Sequence, residues 1–448
     1  MFDVNTVVVI IVMLLGLVLA SVHVAIALGI TSVVGIYLVT GKFQIVERMV
    51  ASTAAEAMRD FTFAVIPLFM LMGEFIARSG AITDIYAAIN RGVRRLPGRL
   101  TVATVIGNTI FSFVTGVSIA SAAAFSRIAY PEMKALGYHK GFALGSIAGS
   151  SCLGMLIPPS VLMIVWGILT EQSIGRLFLA GILPGFLLAT LFLIYVVTTA
   201  VLWPEATGEH RSTDADAADI PPLERPREAD GLKVLGSFAG IGFIVAGVLG
   251  GIWFGIFTPT EGAGAGAAVA LLFAFAKGMR TKQLLAAIFS VGKTAAPILI
   301  LLLMAALYSR TLAMTGVTSA IQGFFLESGL SPYVILALMV LVWFLLGMVI
   351  DSISIMLLTV PIFEPLAAAL GFDRISFAVV GILAIEAGLL TPPFGLLVYT
   401  VKAAIEDPDV GVREIFRYSI PYWIIMLIGI VSIVAIPGIA NYLPNQLF

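Results

Sequence analysis

Two proline pairs in apolar surroundings, Pro158-Pro159 and Pro392-Pro393, are the residues of this chain best placed to set up chemistry. Each pair removes two amide donors and clashes with the preceding turn, so a helix running through LIPPS (156–160) or LTPPF (390–394) must open and leave carbonyl oxygens unpaired. Such oxygens suit a small hard cation, and Ser150, Ser151 and Ser160 beside the first pair and Glu386 and Thr391 beside the second add more. Forty residues earlier each half carries a second polar interruption, counted from Ser118 to Pro158 and from Ser352 to Pro392. The first, 107–124 (GNTIFSFVTGVSIASAAA), holds Asn108, Thr109, Ser112, Thr115, Ser118 and Ser121 around Gly116, where a tight turn forms without a Cβ penalty. The second, 347–355 (GMVIDSISI), holds Gly347, Asp351 and Ser352. Ser118, Ser121, Asp351, Ser352 and Thr391 are the candidate Na+ ligands. They lie within a wider substrate and ion site that adds Thr115, Gly116, Pro158, Pro159, Ser160, Gly347, Glu386, Pro392 and Pro393. The competing account of the hydroxyls is that each bonds back to its own helix or to a neighbour, as is common in membrane helices.

Asp351 is the sharpest of these residues. An aspartate within a span costs ~2.5–3.5 kcal/mol on insertion scales, so an ion, a proton or a buried partner is expected to hold it, and Arg310 and Arg374 are the available partners. Glu386, four residues before a proline break, is read the same way. Glu74 and Arg127 stand close enough to span ends to snorkel to the interface.

The elements that must position these groups are duplicated. Residues 131–160 align with 365–394 at one offset, 234, with eight of thirty positions identical, among them Pro131/Pro365, Gly137/Gly371, Gly154/Gly388 and both proline pairs. Paired helix breaks in two apolar halves are what a secondary carrier uses to hold substrate and ions near the bilayer midplane. Because tip and break are equally spaced in both halves, they are expected to meet around a pseudo-twofold centre.

Composition agrees. Sixty per cent of residues are hydrophobic and 11% charged, with a mean hydropathy of +1.08, a balance that a lipid-facing surface carries and a water-facing one does not. At ~20 residues per spanning helix the apolar runs give about eleven or twelve passes, some re-entrant. The spans fall near 61–78, 101–127, 141–166, 178–203, 234–257, 262–276, 285–308, 311–326, 330–350, 352–370, 375–401 and 418–443. They follow two N-terminal helices hinged near Ser21 to His23 and an amphipathic stretch, 41–60, that lies either on the membrane surface or against protein. The chain divides into N-terminal scaffold helices with the amphipathic segment (1–60), a first repeat (61–203), a hydrophilic linker (204–233), further scaffold helices (234–296) and a second repeat (297–448). Basic clusters at Arg91, Arg94, Arg95 and Arg99 and at Lys277, Arg280 and Lys282 place both loops in the cytoplasm.

Other functions lose ground. A net charge of −1 gives nucleic acid no basic surface. SVGKT (290–294) imitates a phosphate loop, but position 287 is Ala where the motif needs Gly. His23, His139 and His210 are scattered, Cys152 is the single cysteine, and no nucleophile-base pair is visible, so neither a metal-dependent nor a covalent enzyme is supported and no catalytic residue or cofactor is assigned. Glycine ladders at Gly141, Gly145, Gly149 and at Gly262, Gly264, Gly266 read as close helix packing. A channel would draw its pore from repeated subunits, whereas internal duplication favours alternating access.

On GNTIFSFVTGVSIASAAA, PEMKALGYHK, LGMLIPPS, SIGRLFLAGILPG, GIFTPTEGAGA, LLGMVID and IEAGLLTPPFGL, in this order, the chain resembles the large membrane subunit of tripartite ATP-independent periplasmic (TRAP) transporters, the DctM family. The resemblance implies an all-α polytopic membrane protein of the bacterial inner membrane. Its ion-transporter fold would have inverted repeats, re-entrant hairpins and broken helices, with a transport domain moving as an elevator against a scaffold. It also implies sodium-driven import of a small organic anion, usually a carboxylate, delivered by a periplasmic binding protein, with a separate small four-helix membrane subunit (DctQ-like) as partner. Two departures stand out: Gly116-Val117-Ser118 has one hydroxyl fewer than the family's usual GSS tip, and Arg127 replaces a small residue. The other function kept open is an ion-coupled carrier that works without a binding protein.

Overall fold

The computed structural model describes residues 4–208 and 231–448. Every regular element among them is a helix, as expected for an all-α chain. Seven of the described helices are long and apolar enough to cross a membrane: Phe61–Arg78, Ile174–Leu202, Gly231–Trp253, Pro259–Ala276, Thr281–Thr315, Ser352–Ala369 and Val412–Ala435. Apolar side chains such as Leu235, Phe243, Phe289 and Ile300 stand exposed along them, which hydrocarbon tolerates and water does not.

The 234-residue offset reappears in the backbone. Helices start at Ser118 and Ser352 and again at Lys140 and Arg374, and helices end at Thr170 and Ala404, each pair differing by 234. Gly137 and Gly371, both at positive φ (75° and 85°), turn the chain between corresponding helices in the two halves. The two helices leading into the breaks, Lys140–Ser151 and Arg374–Gly388, are buried almost throughout and form the centre of the molecule. The glycine ladder makes the first of them a flat wall. A Cβ on Gly145 would stand 2.6 Å from the Tyr418 carbonyl and one on Gly149 2.0 Å from the Tyr422 ring, so the helix packs directly on Val412–Ala435.

The N-terminal helices Val4–Leu19 and Val24–Thr40 meet at Ser21, whose φ is 61°. The amphipathic stretch is a helix, Phe43–Arg59, with one face on protein through Ile36, Val46 and Leu307, while Phe43 and Met58 point outward. One expectation fails. The spans placed at 285–308 and 311–326 are not separated there: a single 35-residue helix, Thr281–Thr315, runs through and stops at Gly316, φ 74°. The polar Ser309-Arg310 that looked like a boundary is accommodated mid-helix because Arg310 donates to Thr53 (3.0 Å) and to Glu56 on the amphipathic helix. At 1.5 Å per residue the helix is about 50 Å long, so it tilts or projects beyond a ~30 Å core. SVGKT lies inside this helix and forms no loop.

Of the hydrophilic linker, residues 209–230 lie outside the described residues. At its borders Pro204–Thr207 forms a 3-10 turn docked on the His139 amide (2.9 Å), and Gly231–Trp253 is already helical. Lys277 bonds Asp84 at 2.7 Å, tying the helix Ala81–Gly92, on which the first basic cluster begins at Arg91, to the segment where the second cluster begins.

Candidate ion and substrate site

Both polar interruptions are hairpin tips. Arg99–Thr115 ends at Gly116 (φ 61°) and the chain restarts as Ser118–Ile128; Pro332–Gly347 ends and restarts as Ser352–Ala369. Both proline pairs are breaks. Lys140–Ser151 loosens through the 3-10 turn Cys152–Met155, and a short helix, Val161–Thr170, follows the prolines; Arg374–Gly388 stops, and Leu396–Ala404 follows. The Pro158-Pro159 and Pro392-Pro393 bonds are both cis.

Each tip touches its own break. The Gly116 carbonyl accepts from Val161 N at 3.1 Å, and the Met348 carbonyl accepts from Phe394 N at 3.0 Å. The contacts are backbone-close. A Cβ on Gly116 would lie 2.1 Å from the Pro159 carbonyl oxygen, one on Gly154 3.1 Å from Ser118 N, and one on Gly388 2.5 Å from the Phe344 carbonyl. The identity Gly154/Gly388 therefore has a physical cause: at both positions a hairpin lies on the breaking helix.

The two units meet at Glu386, whose side chain is 1% exposed. Ser352 of the second tip donates to Glu386 Oε1 at 2.8 Å. Ser118 of the first tip faces the same carboxyl, yet Ser118 Oγ and Glu386 Oε2 have no hydrogen-bond partner among the described residues. Opposite stands Cys152, whose Sγ lies 3.8 Å from the Glu386 carbonyl; since 386 − 152 = 234, the two occupy equivalent positions in the two halves. One buried carboxylate thus answers to both tips, bonded by Ser352 and faced by Ser118.

Other candidate residues have internal partners. Ser121 donates to Asn108 Oδ1 (2.6 Å), whose Nδ2 donates to Ser150 Oγ (2.6 Å), so Asn108 ties the first hairpin to the first breaking helix. Thr109, Ser112 and Thr115 bond back to carbonyls four residues earlier, and Thr391 Oγ1 bonds the Gly388 carbonyl at 2.6 Å. Ser160 caps Val161–Thr170, accepting from Met163 N (3.3 Å) while donating to the Met155 carbonyl. Asp351 is paired with neither arginine, so the competing salt-bridge account of it fails. Arg310 is taken by Glu56 and Arg374 by Glu364, and Asp351 instead caps Ser352–Ala369, accepting from Ser354 N (3.0 Å) and Ser354 Oγ (2.5 Å). Glu74 pairs with Arg78 at 2.7 Å, and Arg127 is exposed and forms no ion pair among the described residues. The sequence reading missed Asn108 as a hub and Cys152 as the counterpart of Glu386; the 234 offset, applied residue by residue, would have found the second.

Around this centre helices both end and begin: C-termini at Thr115 and Gly347, N-termini at Ser118, Val161, Ser352 and Leu396. Ends favour cations and starts favour anions. A polytopic chain whose halves each press a hairpin tip onto a broken helix is built as a secondary carrier. Residues 11–439 match the family model described as "Tripartite ATP-independent periplasmic transporter, DctM component", and the chain belongs to that family. It is 30% identical over 407 residues to the C4-dicarboxylate TRAP transporter large permease protein DctM of Pseudomonas aeruginosa, covering 89% of this chain and 90% of the relative. It is also 27% identical to the ectoine TRAP transporter large permease protein TeaC of Halomonas elongata (97% and 98% covered) and 27% identical to the sialic acid TRAP transporter large permease protein SiaM of Vibrio cholerae (86% and 87%). These relatives are named as transporter permeases and not as enzymes. In fold the chain is similar to the YdaH transporter of Alcanivorax borkumensis, with a TM-score of 0.60, 16% identity and 91% of each chain covered.

Proposed function

We propose that this large permease subunit imports a small carboxylate-bearing solute across the inner membrane, coupled to sodium and by movement of the tip-and-break body against a scaffold. The single observation that carries the reading is a buried carboxylate, Glu386, set between Ser118 and Ser352, two tip serines from opposite halves, with no basic side chain paired to it among the described residues. A monovalent cation there would offset the carboxylate, whose burial is otherwise costly. The helix N-termini at Ser118 and Leu396, which no side chain caps, supply amide dipoles for an anionic solute, whereas Asp351 already occupies the one at Ser352. C4-dicarboxylates, ectoine and sialic acid, named for the relatives, all carry a carboxylate, which supports the solute class. Family membership implies a periplasmic binding protein and a small DctQ-like membrane subunit as partners.

The test is reconstitution of this chain with its small subunit and binding protein in liposomes, offering labelled succinate, sialic acid and ectoine in parallel. An inward sodium gradient should drive saturable uptake of one of them, and omission of the binding protein should stop it. Uptake indifferent to sodium would sink the coupling; uptake without the binding protein would favour a carrier that works alone.

A further inference from the structure

Outside the central site, two polar clusters repeat at the same offset. In one, the buried Asp407 side chain (2% exposed) accepts from Tyr130 Oη at 2.8 Å and is paired with Lys134 at 2.8 Å and Lys140 at 3.3 Å, while Lys402 Nζ donates to its carbonyl at 2.9 Å. In the other, Glu364 (8% exposed) is paired with Arg374 and accepts from Gln172 Nε2 at 3.4 Å, and Arg374 Nη2 donates to the Thr170 carbonyl at 3.2 Å. The gripping residues correspond, because 364 − 130 and 374 − 140 are both 234; so do the gripped segments, because 406 − 172 and 407 − 173 are both 234.

The connectivity crosses between halves. Tyr130, Lys134 and Lys140 follow the first hairpin and hold the segment just after Leu396–Ala404, the short helix beyond the second break. Glu364 and Arg374 follow the second tip and hold the end of Val161–Thr170, the short helix beyond the first break. These post-break helices have only nine and ten residues, below the ~12–15 at which an isolated helix holds itself, and each hangs from an opened segment. Arg374 on the last carbonyl of Val161–Thr170 also sits where a helix end favours a cation.

We propose that these are reciprocal clamps: each half pins the other's post-break helix, so that both tip-and-break units move as one interlocked body and the clamps stay closed throughout the transport cycle. Asp407 and Arg374 are then positioning residues. The inference rests on the reading of a body that moves against a scaffold, and the experiment separates the two.

In proteoliposomes holding the whole system, with succinate, sialic acid and ectoine as probes, Lys140→Cys/Asp409→Cys and Gln172→Cys/Arg374→Cys are joined by a short bismaleimide across the two clamps; Cys152 is buried and stays in place. Leu169→Cys/Ser309→Cys is joined across the ≈ 300 Å³ cavity between the first post-break helix and Thr281–Thr315, a helix that continues from the scaffold segment 234–296 without a break and that Arg310 fastens to the N-terminal scaffold helix Phe43–Arg59, so that Ser309 counts here as scaffold and not as second repeat. Uptake should survive both clamp links and stop with the third. Uptake stopped by a clamp link overturns the clamps while leaving the moving body standing; uptake that survives the third link overturns the moving body and the clamps with it. A second arm removes one clamp. Asp407→Asn should lower uptake about tenfold, as loss of a hydrogen bond to a charged group would, and the 140–409 link made after membrane insertion should restore it. A residue needed only for folding would show no such rescue, and its absence would also overturn the assignment.

Discussion

Glu386 is a carboxylate buried between serines of opposite halves, with one oxygen bonded to Ser352 and the carboxyl faced by Ser118. Glu386→Gln keeps an acceptor for Ser352 and removes the charge. If the carboxylate helps to hold sodium, the sodium concentration for half-maximal uptake should rise about tenfold in this variant, an energy in the range of a charge-assisted contact. An unchanged sodium curve would make Glu386 a structural bridge only. Asp351 separates two roles in the same way. Asn caps helices about as well as Asp, so Asp351→Asn should leave the melting temperature unmoved and report only on charge, whereas Asp351→Ala should also cost about 1 kcal/mol of stability. A melting temperature that falls equally in both would contradict the capping account. Asp407 gives the pH dependence. Lys134 first, then Tyr130, holds its carboxyl well below the usual carboxylate range. A depressed folded-state value means stability that is complete above the ordinary range and lost only as pH falls through the depressed one. The difference in melting temperature between the parent and Asp407→Asn should therefore be constant from about pH 8 to about pH 5 and shrink only in stronger acid; a difference already closing near neutrality would contradict the pairing.

At the scale of elements, the hairpins and breaks explain which glycines matter. Gly116 combines a left-handed backbone with a carbonyl 2.1 Å from where a Cβ would stand, while Gly371, at φ 85°, has nothing within 4 Å. Gly371→Ala should cost only the conformational ~1–2 kcal/mol. Gly116→Ala should cost that and also push the tip off the break, abolishing uptake with the protein still in the membrane. Equal effects of the two substitutions would mean that the tip-break contact is dispensable. The tips and breaks were legible because glycine, proline and hydroxyl residues interrupt apolar runs at a repeated spacing. The ends of Thr281–Thr315 were not, since Ser309-Arg310 reads as a boundary until Glu56 and Thr53, more than 250 residues away in sequence, are seen to satisfy it. Hydroxyl roles were legible least. Whether Ser121 donates to Asn108 or Thr115 to its own helix depends on rotamer and neighbour, which composition does not carry.

At the scale of the molecule, the halves are joined by far more than their connecting segment. They share the Ser118–Glu386–Ser352 centre, the Cys152–Glu386 contact, the packing of Lys140–Ser151 on Val412–Ala435, and the two clamps. The buried residues of both halves also belong to one continuous apolar cluster. Association held in this way does not need the chain to be continuous from Gly208 to Gly231. A protease site placed within 209–230 and cut after reconstitution should leave the halves together in mild detergent and uptake near its uncut value. The same cut in a chain carrying both Asp407→Asn and Glu364→Gln should let the halves come apart more readily, because the clamps then contribute little and the central contacts act alone. Halves that separate on cutting the unsubstituted chain would mean that the interlocked body depends on its covalent connection, and the cross-repeat contacts would lose their claim to hold the carrier together.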